Sequence, residues 1–244
     1  MAMSTPDPSN PAFPQKPPPT GVTFPPANTA DSKGRVMVGG DMEPGTLLAA
    51  YRAGLFPMRQ ATGELTWWSP DPRAFIPLDG FHAGRTLRRA ATHFTTTVNA
   101  DFEAVIDGCA NRGSDEYLWI TPEIREAFVR LHQLGWAHSV EAWTLPTESE
   151  PSRLAGGLYG LAIGGLFSGE SMFHLVRDGS KVALVALVDL LRDDDRNGAG
   201  RLIDVQWITP HMASLGAIEV TRDEYLRRLD HAISLPPPRR LITR

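Results

Sequence analysis

Three apolar segments, Val140 to Leu145, Leu154 to Ile163 and Leu166 to Phe173, follow one another closely, the last two parted only by Gly164-Gly165. Each has strand length. Apolar strands joined by short turns pair most simply with their chain neighbours, so these segments predict a meandering antiparallel sheet. Glycine inside such strands weakens regular pairing and marks bulges or close backbone contacts. Few folds outside a sheet-centred domain accommodate this pattern.

Helical signals surround the meander. Residues 101 to 110 read as a helix. Thr121 and Pro122 open another, whose stripe Ile124, Ala127, Phe128, Leu131 and Leu134 ends at Gly135. Ser180 caps a strongly apolar helix to about Leu191. A strand at Leu202 to Trp207 comes next, then a short helix from Thr209 and Pro210 to Gly216, and a last helix opened by a Thr221/Glu224 capping box. Upstream, Pro44 suits a first helical turn, Leu47, Leu48 and Tyr51 follow, and Gly54 can close the helix. Strands alternating with helices after a meander predict an α/β fold, a mixed α+β sheet flanked by helices. The division expected is a disordered Pro-rich tail over 1–34, a small N-terminal domain over 35–72, the main domain over 73–235 and a C-terminal tail over 236–244. The first tail carries nine prolines among small polar residues and is too poor in apolar surface to offset the entropy of ordering.

With 244 residues, 42% of them apolar, the chain can bury one substantial core. Its formal charge of −4 gives no support to a broad phosphate-binding face, so any nucleic-acid partner must be gripped locally. The single cysteine, Cys109, cannot form an internal disulfide, and the first thirty residues lack a basic and apolar leader. No apolar run approaches the roughly 20 residues of a membrane helix. A soluble, cytoplasmic protein is expected.

Chemistry has two candidate places. In a strand, residues two apart share a face, so Leu202, Asp204 and Gln206 are expected on one side of Leu202 to Trp207, and Ile203, Val205 and Trp207 on the other. A carboxylate and an amide about 7 Å apart could then reach one reacting centre, although a half-buried strand with a solvated polar face explains the same alternation. The second place is Gly169 to Phe173, where Glu170 stands at the edge of large apolar residues. His138-Ser139-Val140-Glu141 holds the residue types of a triad but no Gly-x-Ser-x-Gly elbow accompanies it. Neither His-Glu-x-x-His nor a Cys pair is present, so no metal is expected. The acidic run Asp193-Asp194-Asp195 reads as a solvated loop. Walker A and dinucleotide fingerprints are absent as well.

Several motifs, in this order, resemble the leucyl/phenylalanyl-tRNA–protein transferase family. They include Gly39-Gly40-Asp41, Tyr51 to Pro57, Trp67 to Pro72, Arg85-Thr86-Leu87-Arg88-Arg89, Gly108-Cys109-Ala110 and Trp119-Ile120-Thr121. His138 to Glu141, Gly156 to Gly160, Gly169 to Phe173, Ser180-Lys181, Ile203 to Gln206 and Ser214 to Ala217 continue the series, which spans Gly34 to about Leu229. The resemblance implies a small N-terminal domain on a GCN5-type N-acetyltransferase-like domain and no metal or organic cofactor. It implies transfer of Leu, Phe or, less well, Met from aminoacyl-tRNA to acceptor proteins beginning with Arg or Lys, which marks them for degradation by the N-end rule; a monomer is expected. By the same resemblance Asp204 and Gln206 assist attack by the acceptor's α-amino group. Leu158, Phe167, Glu170, Met172, Leu184, Leu187, Leu191 and Ile203 form the pocket for the transferred side chain. Met58 and Trp119 flank the terminal adenosine, and Arg85, Arg88 and Arg89 contact the acceptor stem. Met58 replaces a Trp of the family pattern, and Leu187 and Leu191 replace aromatic residues, which leaves donor preference open.

Aminolysis of an activated ester is downhill, so alignment matters most and can contribute roughly 7 to 11 kcal/mol. Gln206 is neutral and can orient an amine but not deprotonate it, whereas Asp204 can act as proton acceptor or polarising charge. An acyl-CoA N-acyltransferase of the same fold is the alternative. That class needs a glycine-rich pyrophosphate turn before a helix, and Arg177 to Lys181 is one small residue short of it. A tRNA-end binding module without activity is a third reading, against which Asp204 and Gln206 stand together.

Overall fold

The computed structural model describes residues 14–60, 62–111, 120–193 and 199–242. Its elements run β1 (Arg35–Val38), α1 (Pro44–Arg52), β2 (Phe56–Arg59), β3 (Leu65–Trp68), β4 (Arg73–Pro77), α2 (Arg85–Ala91), β5 (Phe94–Val98), α3 (Phe102–Ala110) and α4 (Pro122–Gln133). They continue through β6 (Ala137–Thr144), β7 (Leu154–Ile163), β8 (Leu166–His174), α5 (Gly179–Asp193), β9 (Leu202–Gln206), α6 (Pro210–Ser214), β10 (Ile218–Val220), α7 (Arg222–Ser234) and α8 (Arg239–Ile242). Gly164, at φ +56°, turns β7 into β8 and pairs Ile163 with Leu166. The expected meander is there as β6 to β8, and β5, which the sequence pattern does not mark, extends it in antiparallel order; together they form one side of a seven-stranded mixed sheet ordered β10-β4-β9-β8-β7-β6-β5. Among the described residues only β8 and β9 are parallel neighbours; α5 makes the crossover between them, as parallel strands require.

Strand alternation sends Val140, Leu158, Phe167 and Ile203 to one face, where they form a core with Leu184, Leu187 and Leu191 of α5. Tyr159 and Leu161 face the other way, toward Phe102 of α3 and Phe128 of α4. That second core also contains Leu47, Leu55 and Phe56 and Trp67 from the three-stranded sheet β1-β3-β2 and its helix. The small sheet is therefore welded to the large one by shared burial, worth about 1.5 to 3 kcal/mol per large apolar side chain. Thr121 and Thr221 cap α4 and α7 as expected, whereas α5 begins one residue ahead of Ser180. A β-carbon on Gly156 would stand 2.7 Å from the Phe173 carbonyl oxygen and 2.9 Å from the Ser180 nitrogen. Backbone contact thus seats the start of α5 on β7.

The described parts of both terminal segments, 14–34 and 236–242, differ from expectation, while residues 1–13 and 243–244 lie outside the described residues. From Pro14 onward the proline-rich chain is packed, not free: Gln15 N donates to the Leu134 carbonyl at 2.8 Å and Trp136 Nε1 donates to the Gln15 carbonyl at 2.7 Å. Further along, Thr20 meets Thr46 at 2.6 Å and Phe24 sits edge-on against Trp67. The proline ring fixes its own φ in advance, so such a strap loses less entropy on docking than its composition suggests. At the other end, α8 buries Leu241 completely, and Asn99 Nδ2 donates to its carbonyl.

Candidate active site

The parallel ladder between β8 and β9 pairs Leu166 with Leu202, Phe167 with Ile203 and Ser168 with Asp204, and ends there. Both strands are irregular just beyond. On β8, Gly169 opposes Gly160 and Ser171 opposes Tyr159, so Glu170 is an extra, unpaired residue. On β9, Asp204 opposes Phe75 and Gln206 opposes Ala74, which leaves Val205 extra, and Gln206 takes φ +58°. A left-handed non-glycine residue costs roughly 1 to 3 kcal/mol and persists only where its surroundings hold it. Paired bulges re-aim side chains at the parting of two central strands. A cavity of about 280 Å³ opens at that point.

Seven of the eight expected pocket residues line it: Leu158, Phe167, Glu170, Met172, Leu184, Leu187 and Ile203. Leu191 is fully buried in the adjoining core, one helical turn deeper, and does not reach the cavity. Gln206 and Trp207 also line it, together with His211 and Met212 of α6. Asp204 does not. The expectation that Asp204 and Gln206 share one open face fails, because the bulge at Val205 breaks the two-residue period between them.

Asp204 is wholly buried, and the guanidinium of Arg73 grips it with Nε–Oδ1 at 2.9 Å and Nη2–Oδ2 at 2.5 Å. Arg73 is itself buried between the rings of Phe56 and Tyr225, 4.6 and 4.5 Å from their centroids, and donates to the Gly54 carbonyl. Burial opposes its charge, but the Asp204 carboxylate outweighs that cost and raises its pKa above the ordinary arginine value. Asp204 Oδ1 also accepts the Gln206 backbone N–H at 3.0 Å, which helps hold the left-handed turn. The Gln206 amide nitrogen donates to Ser168 Oγ and to the Gly169 carbonyl, both at 3.1 Å. A carbonyl only accepts, so the NH₂ end is fixed there and Oε1 is the free acceptor.

Ser168 Oγ donates to Glu170 Oε1 at 3.1 Å and lies 3.4 Å from Asp204 Oδ2. Two carboxylates thus compete for one hydroxyl proton. Burial pushes the Glu170 carboxyl up to about 8; contact with Tyr51 and Ser168 works the other way, and the Asp204 charge adds to the rise. The buried Tyr51 phenol is raised well above its usual range by burial and by Glu170.

Sequence reading alone does not single out Arg73, Ser168 or Tyr51 as site residues; a lone arginine heading the apolar run Ala74-Phe75-Ile76 is the one available signal. Met58 sits half-buried on β2 against the small-sheet core and does not line the cavity. Arg85, Arg88 and Arg89 are exposed on α2, which packs on α5 and β5 away from the cavity. Trp119 lies outside the described residues, as do Asp194 and Asp195. The His138 to Glu141 motif forms a separate buried knot: Ser139 Oγ and Thr97 Oγ1 donate to Glu141, and burial, with His132 nearby, drops His138 to about 3. Among the described residues no group of three or more His, Cys, Asp or Glu is placed to hold a metal.

Known proteins share this arrangement of sequence. Residues 75–230 match the leucyl/phenylalanyl-tRNA protein transferase family, and residues 40–71 match the N-terminal domain of the same proteins. The chain belongs to the leucyl/phenylalanyl-tRNA–protein transferase family. The transferase of Magnetococcus marinus is 46% identical over 217 residues, covering 88% of this chain and 90% of its own. Those of Idiomarina loihiensis and Colwellia psychrerythraea are 42% and 41% identical over similar spans. The two matched regions part between residues 71 and 75, so Arg73, the arginine that grips Asp204, stands at the junction of the family's two parts.

Proposed function

We propose that this member of the transferase family moves Leu or Phe, and less well Met, from aminoacyl-tRNA to the α-amino group of proteins beginning with Arg or Lys. The observation that carries the reading is the apolar cavity bordered by the free Gln206 amide oxygen. Its volume of about 280 Å³ falls below the range of drug-sized sites, and it suits one apolar side chain with its ester at the rim. Gln206 Oε1 accepts a hydrogen bond from the incoming amine and aligns it with the carbonyl. Asp204 and Arg73 together keep that glutamine in its left-handed turn. Trp207, 39% exposed and edge-on to Phe56, borders the entrance beside the small sheet. Met58 and Trp119 as flanks of the terminal adenosine, and Arg85, Arg88 and Arg89 on the acceptor stem, complete the proposed tRNA contacts.

The N-acetyltransferase-like fold, action as a monomer in the cytoplasm and a place in N-end rule degradation belong to the same proposal. Its residues suffice for aminolysis, since the ester is already activated. The acyl-CoA alternative is disfavoured by Asp178, whose carboxylate sits at the start of α5, 3.3 Å from Lys181 Nζ and near Arg177. A pyrophosphate would have to occupy that place. Purified protein incubated with labelled leucyl-tRNA and a protein beginning with Arg tests the reading; turnover of acetyl-CoA without transfer would refute it.

A further inference from the structure

The reaction releases a proton from the attacking amine, and the buried carboxylate next to Gln206 is badly placed to take it. Both oxygens of Asp204 are engaged, Oδ1 by Arg73 Nε and the Gln206 N–H, Oδ2 by Arg73 Nη2. It does not line the cavity. Glu170 does. The β8 bulge turns it out of the ladder, and its Oε1 and the Gln206 amide meet at the same Ser168 hydroxyl, each 3.1 Å from it. The group that orients the amine and a carboxyl that borders the same space are therefore held on one oxygen.

We propose that Glu170 is the catalytic residue that takes the proton from the acceptor's α-amino group, and that Arg73 is a positioning residue that withholds Asp204 from that role. The inference rests on the transfer reading given above. The amine lone pair forms the C–N bond while the carbonyl π electrons move onto oxygen. Glu170, as carboxylate, takes the N–H proton. On collapse the ester C–O bond breaks, and Glu170 returns that proton to the departing ribose oxygen, so the carboxylate is regenerated and no other reactant is consumed. Ser168 shifts its single proton toward whichever carboxylate bears charge.

The groups facing Glu170 are Tyr51 from α1, Arg73 from β4 and Asp204 from β9, with His211 across the cavity. Burial dominates among them and brings the carboxyl close to the roughly 7.7 to 8.0 of an α-amino group, so proton transfer between the two is nearly level. Deprotonation of Glu170 then limits the rate below that range.

Single-turnover transfer at saturating leucyl-tRNA and acceptor tests this, using an acceptor whose terminal nitrogen ionises well below pH 6, so that its own titration is out of view. For the unaltered protein the rate is expected to rise with pH, to be half-maximal near 8 and to reach a plateau above about 9. Glu170→Gln keeps the acceptor oxygen for Ser168; it is expected to lower the rate about 100-fold and abolish the inflection while leaving the affinity for leucyl-tRNA within about threefold. A pH-independent rate for the unaltered protein, which needs no variant to fold, would overturn the proposal, and so would a Glu170→Gln rate within threefold of the parent. Absence of transfer by the unaltered protein at every pH would instead sink the transferase reading itself.

Discussion

Arg73 and Asp204, 131 residues apart in the chain, meet as a bidentate ion pair with each side chain only 1% exposed. The pair joins β4 to β9, and through Phe56 and Tyr225 it also touches the small sheet and α7. Breaking one half of a buried pair strands the other charge and costs about 3 to 5 kcal/mol, whereas replacing both by apolar residues can be neutral. Arg73→Met should therefore destabilise the protein by that amount in urea unfolding, and Arg73→Met with Asp204→Leu should recover most of it. The double variant should still transfer poorly, because the Gln206 N–H has lost its acceptor and the left-handed turn its support.

The carboxyl of Glu170 gives stability a pH dependence of definite sign. Its folded pKa of about 8 lies above the ordinary 4.5, so its contribution is fully present below about pH 4.5 and is lost as pH rises through 8. Glutamine has no proton to lose. Relative to Glu170→Gln, the melting temperature of the parent should fall steadily between pH 5 and 8 and level off above 9; a constant offset between the two proteins would contradict the assignment.

Donor choice should follow cavity shape. Leu187 is buried and lines the space from α5. Leu187→Ala should raise the ratio of Phe to Leu transfer about tenfold, since methylene-sized differences in an apolar pocket are worth roughly 1 to 3 kcal/mol. Leu191→Ala, behind the cavity wall, should lower stability by about 2 to 5 kcal/mol and leave that ratio nearly unaltered. Competition between the two charged tRNAs measures the first effect in both variants, and thermal unfolding the second.

At Gly160 a β-carbon would run into the Ser168 carbonyl oxygen and stand 2.5 Å from the Phe167 ring. Because backbone cannot yield as a flexible side-chain end can, Gly160→Ala should cost at least the roughly 1 to 3 kcal/mol typical of overpacking. It should also slow transfer, since Ser168 holds both Gln206 and Glu170. Denaturant midpoints and single-turnover rates check the two effects separately.

What the sequence discloses and what it hides divide along the range of the interactions. The meander and the capped helices α4 and α7 follow from local periodicity and capping residues, whereas the apolar wall from Leu158 to Ile203 is legible only through the family resemblance. The two bulges follow from neither. A residue added at Glu170 or Val205 changes the parity of a strand without changing its composition, so alternation puts Gln206 on the Asp204 face although it borders the cavity. The Arg73–Asp204 pair joins distant strands and leaves no local pattern. The strap from Pro14 and the end at Leu241 are held by docking to Leu134, Trp136 and Asn99, contacts that composition cannot display.

Transfer itself is measured with tRNA carrying labelled Leu and two forms of one acceptor, one with a free N-terminal Arg and one acetylated there. Label is expected in amide linkage on the free form alone, with a large loss of rate when Gln206→Ala removes the amide that orients the amine. No label on either form, from folded protein that turns over acetyl-CoA, would contradict the transferase reading.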